Sequence, residues 1–122
     1  MADPAVSIVI TAHNEAAHIG ATVAAAAAQA DVPGGFEIVL VDDRSTDGTA
    51  EAARAAGGDR LRLYPGAPDP ASPLTTRQQA LDLAFRKARG QVVLTLDADS
   101  AMAPGWAAAM AAPMLEGRAD AV

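Results

Sequence analysis

The sequence predicts an α/β domain built on an open, mostly parallel sheet with helices on both faces. Three observations predict it. Short apolar runs, Val6–Thr11, Ile38–Val41 and Val92–Leu96, alternate with helical patterns, and such alternation builds right-handed β-α-β crossovers. The runs are continuously apolar, which marks strands covered on both faces. Two of them end in acidic residues, Asp42-Asp43 and Asp97-Ala98-Asp99, and ligands on such sheets bind beyond the carboxyl ends of the strands. Carboxylates gathered in one crevice repel each other unless a cation joins them. The pattern therefore points to a divalent metal, Mn²⁺ or Mg²⁺, with a phosphorylated ligand.

Each element follows from local chemistry. Val6–Thr11 predicts the first strand. Asn14 is placed as the N-cap of the next helix, with Glu15 near its positive end. Ile19, Val23, Ala26, Ala27 and Ala30 fall at helical spacing. Pro33-Gly34-Gly35 turns the chain into a second strand, Glu37 to Val41. Ser45, Thr46 and Asp47 are all candidate caps for a helix over about 48–56, and Gly57-Gly58 stops it. Leu61 to Tyr64 alternates, as a short strand near an edge does. Residues 65–73 hold four prolines and can be neither helix nor central strand. A loop this long in a compact domain is often functional.

Thr75 or Thr76 caps a third helix, in which Leu81, Ala84, Phe85 and Ala88 form an i, i+3, i+4, i+7 stripe. Lys87 and Arg89 suit its negative end, and Gly90 is placed as its C′ residue. After the Val92–Leu96 strand, Pro104 fits the first turn of a last helix, which Pro113 should end or kink. Phe85, Trp106 and Met110 are assigned to the core. Ala119 to Val122 reads as the start of a further strand, so the chain reads as a truncated part of a longer protein.

At 122 residues the chain has the size of one small domain, and 51% apolar content is enough for a core. Much of that content is alanine, which favours helix but buries little area. A thin core of modest stability is expected. Aromatics are 3% and net charge is −6, which argues against a nucleic-acid partner by stacking or by phosphate contact. There is no cysteine, excluding disulfides, thiolate metal sites and a cysteine nucleophile. That suits a cytoplasmic protein. No apolar run reaches membrane-spanning length, so any membrane association is assigned to segments downstream.

The chemistry sits in three short motifs. In Asp97-Ala98-Asp99, two carboxylates one residue apart both reach a crevice if the backbone turns there, and their hard oxygens suit Mg²⁺ or Mn²⁺ bridging to a diphosphate. The alternative is a pair of loop aspartates capping a turn. Asp43 has the chemistry to accept hydrogen bonds from ribose or nucleobase, while Ser45, Thr46 and Asp47 serve as turn and cap residues. In Thr11-Ala12-His13-Asn14-Glu15, His13 stands where its ring would pack on a base, or else is an exposed loop residue. Arg77 opens the third helix, where a phosphate and the helix dipole would meet, or else is simply solvated. His18 reads as a surface residue, and the two histidines lack metal-site spacing. Neither a G-x-G-x-x-G nor a P-loop pattern occurs.

Together, residues 6–15, 38–49, 79–82 and 96–99 resemble, in order and spacing, the family 2 glycosyltransferases of the GT-A fold. The resemblance covers nearly the whole chain. It implies the Rossmann-like half of the fold, which holds a nucleotide-diphospho-sugar, often a UDP-sugar. It places Ala12 and His13 along the base pocket, Asp43 on the base and Glu15 beside the nucleotide, with Thr11 among the nucleotide-binding residues. Asp97 would reach the ribose, Asp99 the metal and Arg77 the phosphates. The family often has tyrosine at His13, lysine at Arg77 and glycine at Thr76. The implied reaction is inverting, metal-dependent transfer to an acceptor hydroxyl, with the general base C-terminal to the Asp-x-Asp segment. On that basis this chain should bind donor without transferring sugar alone.

Two other readings share these features. One is a non-catalytic nucleotide-sugar-binding module. The other is a haloacid dehalogenase-type phosphatase, whose Asp-x-Asp normally opens the chain. A receiver-like domain would carry its acidic pair after the first strand, and a nucleotidyltransferase would need a basic Gly-rich loop.

Overall fold

The computed structural model describes residues 3–115. In order these form β1 (Val6–Ala12), α1 (Ile19–Ala27), β2 (Phe36–Asp42) and α2 (Thr49–Gly57). A single 3-10 turn (Gly58–Arg60) leads into β3 (Leu61–Pro65), α3 (Thr76–Lys87), β4 (Val92–Asp97) and α4 (Trp106–Leu115). The strands make one sheet in the order β3-β2-β1-β4, and every pair is parallel. The register sets Ala12 opposite Asp42 and Thr11 opposite Asp97. The carboxyl ends of three strands therefore stop at one level, and the acidic motifs leave the sheet side by side. Among the described residues no helix is long and apolar enough to cross a membrane.

Because side chains alternate along a strand, the sheet has two apolar faces. Ile8, Ile10, Ile38 and Leu40 meet α1, α2 and α4 through Ile19, Val23, Ala26, Ala53, Ala107 and Ala111. Val9, Val39 and Val41 meet α3 through Ala80 and Ala84. The strands supply the bulk and the helices supply mostly alanine.

Several local expectations give way to tertiary packing. Asn14 does not cap α1; it lies in the left-handed region at φ 53°, and the helix starts five residues later, at Ile19. Ala30 lies beyond the end of α1, its N–H donating to Pro104 O at 2.8 Å. Gly48 stands at the N-cap of α2 without a side-chain cap. For α3 the structure chooses Thr75, which forms a capping box with Gln78. Phe85, assigned to the core, is 43% exposed, whereas Ala80 and Ala84 are the buried positions of α3. Ala84 of the expected stripe is buried and Leu81 and Ala88 pack against the core, so the stripe holds except at Phe85, and Ala80 joins it. Trp106 and Met110 do pack against the core. Pro113 lies inside α4, which continues to Leu115. Ala119 to Val122 lie outside the described residues.

Gly90 is not a C′ residue, since α3 ends at Lys87 with Ala88 as its C-cap. Its role is close approach. A Cβ there would meet Ser7 N and Val6 C at 2.7 Å. Gly90 N–H donates to Ser7 Oγ at 2.8 Å, and Ser7 Oγ–H donates to Glu37 Oε2 at 2.6 Å. Replacing Gly90 with alanine should cost about 2 kcal/mol, because backbone must move to relieve the overlap. Denaturant melts check this; a Gly90→Ala protein as stable as the parent would mean the approach is not tight.

Candidate functional site

A cleft of about 550 Å³ opens beyond the carboxyl ends of β1, β2 and β4. All eight residues singled out from the sequence line it. Thr11, Ala12, His13 and Glu15 come from the end of β1 and the loop after it, and Asp43 follows β2. Arg77 projects from the first turn of α3, and Asp97 and Asp99 stand at the end of β4. Parallel register brings these segments together from sequence positions more than 80 residues apart.

Two loops form the rim and are stitched to each other. Asn14 N–H donates to Ser45 Oγ at 2.9 Å, and Thr46 N–H donates to Asn14 Oδ1 at 2.8 Å. Glu15 N–H donates to Thr49 Oγ1 at 3.0 Å, and Ala16 N–H donates to Asp47 Oδ2 at 3.2 Å. Ser45 and Thr46 are therefore cross-loop braces rather than helix caps. Asp47, one residue before the Gly48 N-cap, also accepts from Thr49 N–H at 3.0 Å. The Thr49 hydroxyl, followed by these N–H donors, holds the Asp47 carboxyl below the usual range despite some desolvation.

His13 Nδ1 lies 2.5 Å from the carbonyl oxygen of Asp43. A carbonyl only accepts, so Nδ1 carries a proton and donates to it. The ring is exposed but locked to the second loop.

Asp43 is only 6% exposed. Its carboxylate accepts from Arg44 Nε at 3.0 Å and Nη2 at 3.4 Å. Arg44 also lines the cleft, a role that sequence reasoning missed. It sits at φ 56°, where a side chain costs energy that glycine would not. Nothing in an arginine codon position signals a left-handed residue. Thr76, Ala80 and Ala98 complete the lining. The neighbouring Asp42 has a local task, accepting from Ser45 N–H at 3.3 Å.

The chain turns after β4, Ser100 N–H donating to Asp97 O at 3.1 Å. This turn is what lets both carboxylates of the Asp-x-Asp motif face the cleft. Asp97 is 73% exposed along its side chain and meets Arg77 Nη2 at 3.4 Å. Exposed pairs of this kind contribute little, so an anionic ligand can readily compete for Arg77.

The proline-rich loop walls a second hollow of about 340 Å³ that shares Asp43, Thr76 and Ala80 with the cleft. Gln79 holds that loop to α3, accepting from Asp69 N–H at 2.7 Å and donating to Asp69 O at 3.2 Å and Leu74 O at 3.1 Å.

Comparison with known proteins agrees with this geometry. The model of the family described as "Glycosyl transferase family 2" matches residues 7–122. No curated protein matches the chain. Among solved structures, S. aureus TarS 1-349 in complex with UDP-GlcNAc is 25% identical at a TM-score of 0.73, covering 91% of this chain and 31% of its own. The Pyrobaculum calidifontis mannosyltransferase PcManGT, in complex with GDP-Man and Mn²⁺, is 29% identical at a TM-score of 0.64, covering 81% and 28%. Glucosyl-3-phosphoglycerate synthase from Mycobacterium tuberculosis, with Mn²⁺, UDP and glucosyl-3-phosphoglycerate, is 27% identical at 0.67, covering 92% and 40%. The chain thus spans about a third of the length of the solved proteins it matches. The strand order, the cleft and the family match together exclude the phosphatase alternative: this chain has the GT-A fold and belongs to glycosyl transferase family 2.

Proposed function

We propose that this chain supplies the donor site of a glycosyltransferase that moves a sugar from a nucleotide-diphospho-sugar to an acceptor hydroxyl with inversion. The observation that carries the reading is the single cleft at the strand ends into which Asp43, Arg77, Asp97 and Asp99 all project. The bound donors in the TarS and PcManGT structures support it.

On this reading the base lies against Ala12 and His13 and hydrogen-bonds to Asp43. Glu15 flanks the nucleotide, Asp97 accepts from the ribose hydroxyls, and Arg77 leaves Asp97 to pair with phosphate. Thr11, at the base of the cleft, closes its floor. UDP is the first nucleotide to test, since two of the three similar structures hold a uridine nucleotide.

The donor set suits a divalent cation held mainly by its substrate. Asp97 and Asp99 offer hard, exposed oxygens on one turn, and no group of three ligating side chains exists among the described residues. Mg²⁺ and Mn²⁺ accept such sites, taking one or two carboxylates and filling the rest with phosphate oxygens and water. Asp99 would hold such an ion, which would supply charge stabilisation for the leaving diphosphate. Acceptor activation belongs to residues C-terminal to the Asp97–Asp99 segment.

The test is calorimetric titration with UDP, with and without Mn²⁺, on the parent and on Asp99→Asn. Metal should raise UDP affinity at least tenfold in the parent and leave Asp99→Asn unaffected. Equal metal enhancement in both would remove Asp99 from the metal site. A folded parent that binds none of UDP, GDP and TDP would argue against a self-sufficient donor site.

A further inference from the structure

Thr22 lies on the core side of α1 and is 2% exposed. Its hydroxyl reaches far from its own helix. Oγ1 lies 2.8 Å from Ala98 O and 3.1 Å from Ser100 O, the carbonyls of the two residues that flank Asp99. A longer contact of 3.2 Å runs to His18 O within the helix. One hydroxyl proton serves these acceptors, and the shortest contact is the one to the turn.

The turn is otherwise held at two points. Ser100 N–H donates to Asp97 O, and the Ala98 methyl is buried in the core cluster. The first holds the Asp99–Ser100 peptide by its N–H, and neither holds the carbonyl of the Ala98–Asp99 peptide. The Thr22 hydroxyl does, its shortest contact being to Ala98 O at 2.8 Å, with Ser100 O of the Ser100–Ala101 peptide beside it at 3.1 Å. The Asp99 side chain itself is exposed and makes no hydrogen bond or ion pair among the described residues. Its direction is thus set by its backbone, and its backbone by a residue 77 positions earlier.

We infer that Thr22 is a positioning residue, aiming the Asp99 carboxylate into the cleft through the carbonyls of Ala98 and Ser100. The inference rests on the proposed role of Asp99 as the metal-holding carboxylate. A group that orients a ligand without touching the ion changes metal affinity about 10- to 100-fold when removed. Thr22→Val is the informative change: it keeps shape and branching and deletes only the hydroxyl. Thr22→Ser restores the hydroxyl and deletes the methyl.

The experiment has two readouts on the full chain. The first is UDP affinity with and without Mn²⁺. Thr22→Val should lose about tenfold of the Mn²⁺-dependent gain while metal-free UDP affinity stays within twofold, and Thr22→Ser should keep the gain. A purely structural role would instead weaken both conditions together, or weaken Thr22→Ser as much as Thr22→Val. The second needs no ligand: amide exchange at Ser100 should quicken at least tenfold in Thr22→Val, with β1 and β2 amides unchanged. Unchanged exchange at Ser100, or a full metal-dependent gain in Thr22→Val, overturns the inference. Asp99→Asn run alongside separates the two ideas. If it keeps the metal-dependent gain, the role of Asp99 fails; if it loses the gain and Thr22→Val does not, only the role of Thr22 fails.

Discussion

Replacing Glu37 with alanine is expected to lower stability by about 4 kcal/mol, the scale of breaking one side of a buried ion network. Glu37 is 3% exposed and lies at the far end of the sheet from the cleft, paired in register with Ser7. Its carboxylate accepts from Ser7 Oγ at 2.6 Å, from Arg89 N–H at 2.7 Å, from Arg62 Nη1 at 2.7 Å and from Arg89 Nε at 3.2 Å. Removing it leaves the Ser7 hydroxyl and the Arg89 amide without an acceptor. Arg62 suffers less, because it also donates to Lys87 O at 2.9 Å. Glu37→Gln should cost about half as much, since one amide oxygen still accepts while the amide N–H group faces donors.

Burial alone pushes the Glu37 carboxyl up, but the hydrogen bonds from Ser7, Arg89 and Arg62 outweigh it and leave the carboxyl below its usual value. The sign of the pH effect follows. The unfolded chain protonates Glu37 near the ordinary value, about 4.3, and the folded chain only at lower pH. The network's contribution is therefore complete at neutral pH and is lost as pH falls through the folded value. The stability gap between parent and Glu37→Gln should be flat from about pH 7 to 5 and should shrink below about pH 4. A gap that is constant to pH 3, or that widens there, would mean the carboxylate is not held ionised.

The second large effect concerns Asp43. Asp43→Ala should reduce UDP affinity about 10- to 100-fold, the worth of a charged hydrogen bond to a ligand in a desolvated corner. Stability should change little, because its partner Arg44 is half exposed and free to turn to solvent. On the proposed reading, in which Asp43 meets the base, the loss should be confined to that end of the cleft. Pyrophosphate with Mn²⁺ should bind Asp43→Ala as it binds the parent. If pyrophosphate weakens in parallel with UDP, Asp43 acts on the whole cleft and does not read the base.

The elements and the residues that meet in the cleft were legible in the chain because both are written in local patterns. Continuous apolar runs made the strands, and the acids that end them lie together; all eight residues named from the sequence line one cleft. Proline and glycine punctuation marked the segments between. These signals survive because strand burial and crossover handedness leave few arrangements open.

Other features depended on which surfaces meet, and that is not a local property. The order β3-β2-β1-β4 arises from pairing between distant strands. Asn14, Ser45 and Thr46 look like cap residues, yet they brace two loops that only the parallel register brings together. Gly90 looks like a helix stop but is small because the β1 backbone presses on it. Glu37 looks like the polar start of a strand, whereas the third helix's end and an edge-strand arginine enclose it. Composition and periodicity thus determined the class, the order of elements and which acidic residues stand at the strand ends. Tertiary structure decided which polar groups are desolvated and by whom they are satisfied, because a buried hydrogen bond is set by the partner that folding brings to it rather than by its neighbours in sequence.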